Sequence, residues 1–352
     1  MPKRSLAAIL LAAFVLVLGV VAVGCGGDDD SGSSGSGASS NATPEKKAIK
    51  VGLVTDIGGL NDRSFNQLAN EGLERAKSEL GVDGRVLTSK SDADYVPNLS
   101  TLAQQKYDLV IGVGFLMSSA MNTVATKFPD TNFAIIDFPQ GDLKAKPANV
   151  RGLLFTENQA GYLAGYLAAL YTKDKSGDQV ISSVGGQKIP PVDSYIAGYQ
   201  AGAKKANPKI KTLNGYSQDF VDQAKCKEIA LNQIAEGSQV VFQVAGQCGL
   251  GALDAAKEKG VLGIGVDADQ GYLGDHILTS AQKKVDVAVF ETTKAVQDGS
   301  FKGGEDQIFD LKSDGVGLGK VNADGQKYAD QVEEIKQQII SGEISDIPTE
   351  VK

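Results

Sequence analysis

The chain has no tryptophan, a single histidine and only three cysteines in 352 residues. Bases are also scarce: 35 Lys and Arg stand against 43 Asp and Glu, a formal net charge of -8. One histidine, His276 in "GDHILTS", excludes His-rich metal centres and more than one His-based triad, and no G-x-S-x-G elbow accompanies it. Without clustered Lys and Arg there is no footprint for nucleic acid, whose phosphates need neutralising. The glycine-bearing loop "VTDIGGLNDRSFNQ", residues 54–67, lacks G-x-G-x-x-G, and G-x-x-x-x-G-K-[ST] occurs nowhere. A phosphate in that loop would also meet Asp56 and Asp62. No metal, cofactor or catalytic residue is expected, and the chain reads as a binder rather than an enzyme.

What is present is 42% hydrophobic residues and 42 glycines, the composition of an α/β protein rich in glycine loops. The length exceeds one ordinary domain and points to two lobes. At the N-terminus "MPKRS" supplies positive charge, and Leu6–Gly24 are 19 apolar or glycine residues ending in "AVGC". The small residues before Cys25 resemble a bacterial lipobox, on which reading residues 1–24 are cleaved and Cys25 carries lipid. The alternative is a transmembrane anchor, since 19 residues at about 1.5 Å each nearly span a bilayer. Residues 25–47 are rich in Gly, Ser and acids and form a flexible tether with a reach on the order of 25 Å. With Cys25 lipidated, Cys226 and Cys248 remain, either as a disulfide permitted by export or as two buried thiols.

From residue 49 apolar runs alternate with amphipathic stretches. "IKVGLVTD", "GRVLTSK", "YDLVIGVGF" and "TNFAIIDF" read as strands between helices near 64–80, 97–106 and 118–128. Ser64 and Gln67 match a capping box, which starts the first helix at Ser64. "VRGLLF" opens a second run, with strands "QVISSVGG", "KIKTLNGYSQ", "SQVVFQVAG" and "VLGIGVDAD" and helices at 158–171, 193–206, 222–236 and 251–259. The tail adds "DHILTSAQK", a helix at 284–298, strand-like "QIFDL" and "GVGLG", and a charged helix at 326–341. Strands alternating with helices make parallel sheets with right-handed crossovers, so the fold class is α/β with two doubly wound, Rossmann-like lobes.

Ligands of doubly wound sheets sit beyond the carboxyl ends of the strands. Those ends carry Asp56, Asp137 and Asp267, with "AGQCG" containing Gly246 at another. Three carboxylates would then converge on one crevice, where a neutral ligand rich in N–H and O–H groups satisfies them. The alternative role of each aspartate is to cap the helix that follows.

The quoted loop resembles the opening motif of the basic-membrane-protein family of ABC-transporter substrate-binding lipoproteins. The resemblance extends through "SFN" (64–66), "IGVGFLM" (111–117), "FAIIDF" (133–138), "NQAGYLAGYLAA" (158–169), "VFQVAGQCGLGALDAAKEKG" (241–260), "IGVDADQ" (264–270) and "LTSAQKKVDVAV" (278–289). It implies a type I periplasmic-binding-protein fold with three hinge crossings. The lobes would be 48–155 plus 280–307 and 156–279 plus 308–352. The implied ligand is a purine nucleoside stacked between Phe65 and Tyr195, the latter standing where members often have phenylalanine. Asn66 and Asp137 would read the base edge, Asp267 and Lys283 would hold the ribose, and Asp56 and Gly246 would add sugar contacts. For both aromatics, core packing is the competing role, and for Lys283 a solvated helix start.

The implied function is that of an extracytoplasmic, lipid-anchored, monomeric binding protein serving an ABC permease and ATPase. A sugar binder on the same fold and a membrane-anchored sensor without a permease are the other readings.

Overall fold

The computed structural model describes residues 48–177 and 179–352. The expected leader, lipidated Cys25 and tether lie outside the described residues. In the first run, β1 (Lys50–Val54), β2 (Asp83–Leu87), β3 (Leu109–Gly112), β4 (Asn132–Ile136) and β5 (Val150–Phe155) alternate with α1 (Phe65–Leu80), α2 (Tyr95–Gln104) and α3 (Ser118–Lys127). The second run comprises α4 (Glu157–Lys173), β6 (Val180–Gly185), α5 (Pro190–Ala206), β7 (Lys211–Tyr216), α6 (Gln223–Ala235), β8 (Ser238–Val244), α7 (Gly246–Lys259), β9 (Leu262–Asp267) and β10 (Ile277–Lys283). Then come α8 (Val285–Gln297), β11 (Asp306–Phe309), β12 (Val316–Leu318) and α9 (Ala329–Ile340).

Among the described residues two six-stranded sheets form, ordered β11-β5-β4-β3-β1-β2 and β12-β10-β9-β8-β6-β7. The first is parallel throughout; in the second only β12 runs antiparallel, against β10. Every residue of β3, β6 and β9 is buried, as expected for parallel strands covered by helices on both faces. This is the two-lobed α/β fold the alternating pattern predicts.

Three crossings join the lobes, after β5, β10 and β11. Strand pairing sets the last two after Lys283 and Phe309, a few residues beyond the expected 280 and 307. The crossings are tied together: Thr156 N donates to Phe309 O at 3.1 Å and Leu311 N to Gln159 Oε1 at 2.9 Å.

In the second lobe α4 and α5 pack backbone to backbone. A Cβ on Gly161 would lie 2.1 Å from Tyr195 O, and one on Gly198 2.1 Å from Asn158 O. Glycine therefore sets the separation that seats Glu157 and Tyr195. Cys226 in α6 and Cys248 in α7 are joined by a disulfide, with Cα atoms 5.6 Å apart. In the chain-entropy view that bridge stabilises by roughly 3 kcal/mol.

The start of α1 differs from expectation. Ser64 makes no side-chain cap; instead Asp62 accepts from the backbone N–H groups of Ser64, Asn66 and Gln67 at 3.1, 2.7 and 3.1 Å. A carboxylate two residues upstream offers two acceptor oxygens to those amides, which frees the serine hydroxyl for another partner. Helix α7 also begins earlier than expected, at Gly246, because it starts directly from the end of β8.

Candidate functional site between the lobes

One cleft gathers the carboxyl ends of strands from both sheets, and counted to its open mouth it encloses about 630 Å³. Asp56, Phe65, Asn66 and Asp137 line it from the first lobe, and Tyr195, Gly246, Asp267 and Lys283 from the second. All eight residues singled out in the sequence thus border a single space, although their surroundings differ from the simplest expectation.

Asp137 and Asp267 occupy matching places, each at the end of a strand, with φ of 68° and 59°. Left-handed backbone is costly for a residue with a Cβ and is held by its surroundings at functional sites. It turns both carboxylates toward the cleft. Asp137 Oδ2 accepts from Lys283 Nζ at 2.7 Å, while its Oδ1 is buried without a hydrogen-bond partner. Asp267 accepts from Tyr195 OH at 3.3 Å and, across the lobes, from Ser64 Oγ at 2.8 Å.

Lys283 is almost wholly buried and also donates to Glu157 Oε1 at 3.2 Å. Its ammonium lies 4.9 Å from the centre of the Phe65 ring, 5.3 Å from Phe155 and 5.8 Å from Tyr195. It is no solvated lysine. Burial alone would lower its proton affinity, but Asp137, Glu157 and Asp267 outweigh that and raise it. Burial raises Asp56 and Asp267 to about 6, with Tyr95 offsetting the first and Lys283 the second. Glu157 rises to about 7 by burial, offset by Lys283 and reinforced by Asp137.

Two of these residues also have partners inside the protein. Tyr195 is 2% exposed; its ring meets Phe242 edge-on at 6.0 Å, and its hydroxyl is bonded to Asp267 and to Ala281 O. It still borders the cleft, with little of its surface open. The partly exposed ring that lines the cleft from the second lobe is Phe220, in the loop after β7, opposite in lobe to Phe65. Asn66 spends its amide on the loop: Oδ1 accepts from Asp56 N at 2.9 Å and Nδ2 donates to Ile57 O at 3.4 Å. Asp56 in turn accepts from Tyr95 OH and from Ile57 N.

Sequence reasoning also passed over Ser64 and Glu157. Ser64 was hidden by its match to a cap, and Glu157 by the frequency of acids in the first turn of a helix. Among the described residues no group of three or more metal-ligating side chains occurs, and no helix is long and apolar enough to cross a membrane.

Two doubly wound lobes facing each other across a largely apolar cleft set with buried charged groups, with three connecting crossings, define a bilobal solute-binding protein. The family model described as "ABC transporter substrate-binding protein PnrA-like" matches residues 49–349. The chain belongs to this family of ABC-transporter substrate-binding proteins. It is 36% identical to the ABC transporter nucleoside-binding protein BmpA of Lactococcus lactis subsp. cremoris, covering 98% of this chain and 99% of that protein. It is 35% identical to the CD4+ T-cell-stimulating antigen of Listeria innocua, over 98% of each. Among solved structures, an ABC transporter solute-binding protein from Aeropyrum pernix superposes with a TM-score of 0.77 at 30% identity, over 85% of this chain and 94% of that one.

Proposed function

We propose that this protein captures a purine nucleoside between its lobes on the outer face of the cytoplasmic membrane and delivers it to an ABC permease and its ATPase. Cys25 is the lipid attachment point in this reading, and the protein acts as a monomer. The observation that carries it is the orphaned Asp137 Oδ1, a buried acceptor bordering a cleft that also holds the partly exposed rings of Phe65 and Phe220. An unpaired buried acceptor is costly, and a base N–H satisfies it. Aromatic rings give a base roughly 1 to 3 kcal/mol each by stacking.

The base therefore lies against Phe65 and Phe220 with its N–H edge toward Asp137. Asp267 accepts from a ribose hydroxyl and Lys283 donates to another, with Asp56 and the α7 N-terminus at Gly246 nearby. Asn66 shapes the loop that presents Asp56. The name of the Lactococcus relative supports the ligand class.

The test is calorimetry of the purified protein against adenosine, guanosine and inosine beside pentoses and hexoses, with mass spectrometry of any co-purifying small molecule. Micromolar or tighter binding of nucleosides alone is expected. Binding of a sugar in preference to every nucleoside overturns the reading, and release of free base from inosine would make the protein a hydrolase instead.

A further inference from the structure

Lys283 is shared by two carboxylates that belong to different lobes. Its strand pairs with β9 and β12 in the second sheet, and Glu157, which opens α4, belongs to that same lobe. Asp137 follows β4 and is fixed to the first sheet, its N–H donating to Leu153 O at 2.9 Å. The three side chains are 3, 5 and 7% exposed for Lys283, Asp137 and Glu157. Glu157 and Lys283 also stand at two of the three crossings, directly after β5 and at the end of β10.

Parting the lobes breaks the Asp137–Lys283 pair but leaves Glu157–Lys283 intact, because the latter two move together. Bringing the lobes together places Asp137 beside an ammonium that Glu157 already pairs and Asp267 already faces, so buried carboxylates outnumber the one ammonium. Burying an uncompensated charge is costly, and the surplus falls on the pair whose Asp137 Oδ1 has no donor.

We propose that Glu157 is a positioning residue: it keeps the Lys283 ammonium paired when the lobes part, and its surplus charge holds them apart until a ligand donates to Asp137. The inference rests on the preceding reading only in taking Asp137 as the ligand's acceptor. It explains why a buried glutamate sits beside a lysine that Asp137 already neutralises. Without Glu157 the closed arrangement carries one buried negative charge fewer and forms more readily without a ligand. Protonation of Glu157 does the same, so closure is linked to uptake of a proton there. The charged and titratable groups around it are Lys283 on β10, Asp137 after β4 and the Tyr195 phenol on α5, with Asp267 on β9 facing the same ammonium.

The test follows backbone hydrogen exchange in the full chain without ligand, corrected for intrinsic rates, in segments 61–67 and 264–271. These segments meet through Ser64–Asp267 and through Gln270 Nε2 to Arg63 O at 3.2 Å. In the wild type, protection should rise several-fold from pH 8 to pH 6. In Glu157→Gln it should already be higher at pH 8 and respond less to pH than in the wild type, and association with adenosine or guanosine should slow at least threefold. Glu157→Asp, which retains the charge, should resemble the wild type. Equal protection in Glu157→Gln and wild type at pH 8, or an undiminished pH response in the variant, overturns the proposal. Should Glu157→Gln not fold, the wild-type comparison decides, and protection that fails to rise toward pH 6 overturns it. A wild type that binds neither nucleoside defeats the ligand assignment, whereas the ligand-free exchange arm still judges Glu157.

Discussion

Ser64 Oγ, on the loop entering α1 in the first lobe, donates at 2.8 Å to Asp267 Oδ2 and at 3.0 Å to Val266 O in the second. Ser64 has no exposed surface, so water does not compete for these contacts. They form only when the lobes meet. Ser64→Ala should cost about 1 kcal/mol of closed-state stability, a loss of roughly three- to tenfold in nucleoside affinity. The loss should fall in the dissociation rate, as interface changes commonly do. Unchanged dissociation in stopped-flow measurements would remove the latch role.

Phe220 and Tyr195 separate stacking from packing. Phe220→Ala and Phe65→Ala should each lower affinity for adenosine and guanosine alike, by about 1 to 3 kcal/mol. Tyr195→Phe keeps the buried ring and loses only the hydroxyl contacts to Asp267 and Ala281, so affinity should change less than threefold. A larger loss in Tyr195→Phe than in Phe220→Ala, read by calorimetry, would return the stacking role to Tyr195.

Asp137 offers one acceptor to Lys283 and one to the ligand. Asp137→Asn keeps the size of the side chain but halves its accepting capacity and leaves Lys283 with Glu157 alone. Nucleoside affinity should fall at least tenfold while the unfolding temperature of the ligand-free protein changes little. Affinity within twofold of the wild type would exclude Asp137 from the ligand.

Stability should respond to pH through the buried acids. Asp56 and Asp267 titrate at about 6 and Glu157 at about 7 in the fold, against ordinary values of 3.8 and 4.5. Between about pH 4 and pH 7 the native state therefore holds more protons than the unfolded chain, and stability falls as pH rises. Thermal unfolding of the ligand-free protein should show a midpoint that declines across this window. A midpoint that climbs steadily from pH 4 to pH 7 would contradict the assigned burial of these carboxylates.

Much of the architecture was legible because its signals are local. Apolar runs closed by Asp56, Asp137 and Asp267 mark strand ends, and a parallel sheet places its ligands there. What could not be read is which side of a helix the remainder of the protein covers. Tyr195 and Phe65 both lie on helices next to polar residues, yet the first is buried and the second half-buried. Phe220 sits in a loop without periodicity, so nothing in its neighbourhood distinguishes it from a surface aromatic. Ser64 satisfied the local rule for a cap, and the competing acceptors, Val266 and Asp267, lie about two hundred positions away in the chain. Glu157 shows the same blindness: its partners come from two other strands, which only the folded topology brings together.

The glycine-spaced pair α4 and α5 has a mechanical consequence. Added methyl groups at Gly165 or Gly202 would meet the carbonyl oxygens of Tyr199 or Tyr162 at 1.9 Å, so these helices behave as one incompressible strut. Bending inside the second lobe is thereby suppressed, and the travel needed to admit a ligand is confined to the short connectors at residues 156, 284 and 310. A single alanine at either glycine should force α4 and α5 apart, unseat Glu157 and Tyr195 and destabilise the second lobe.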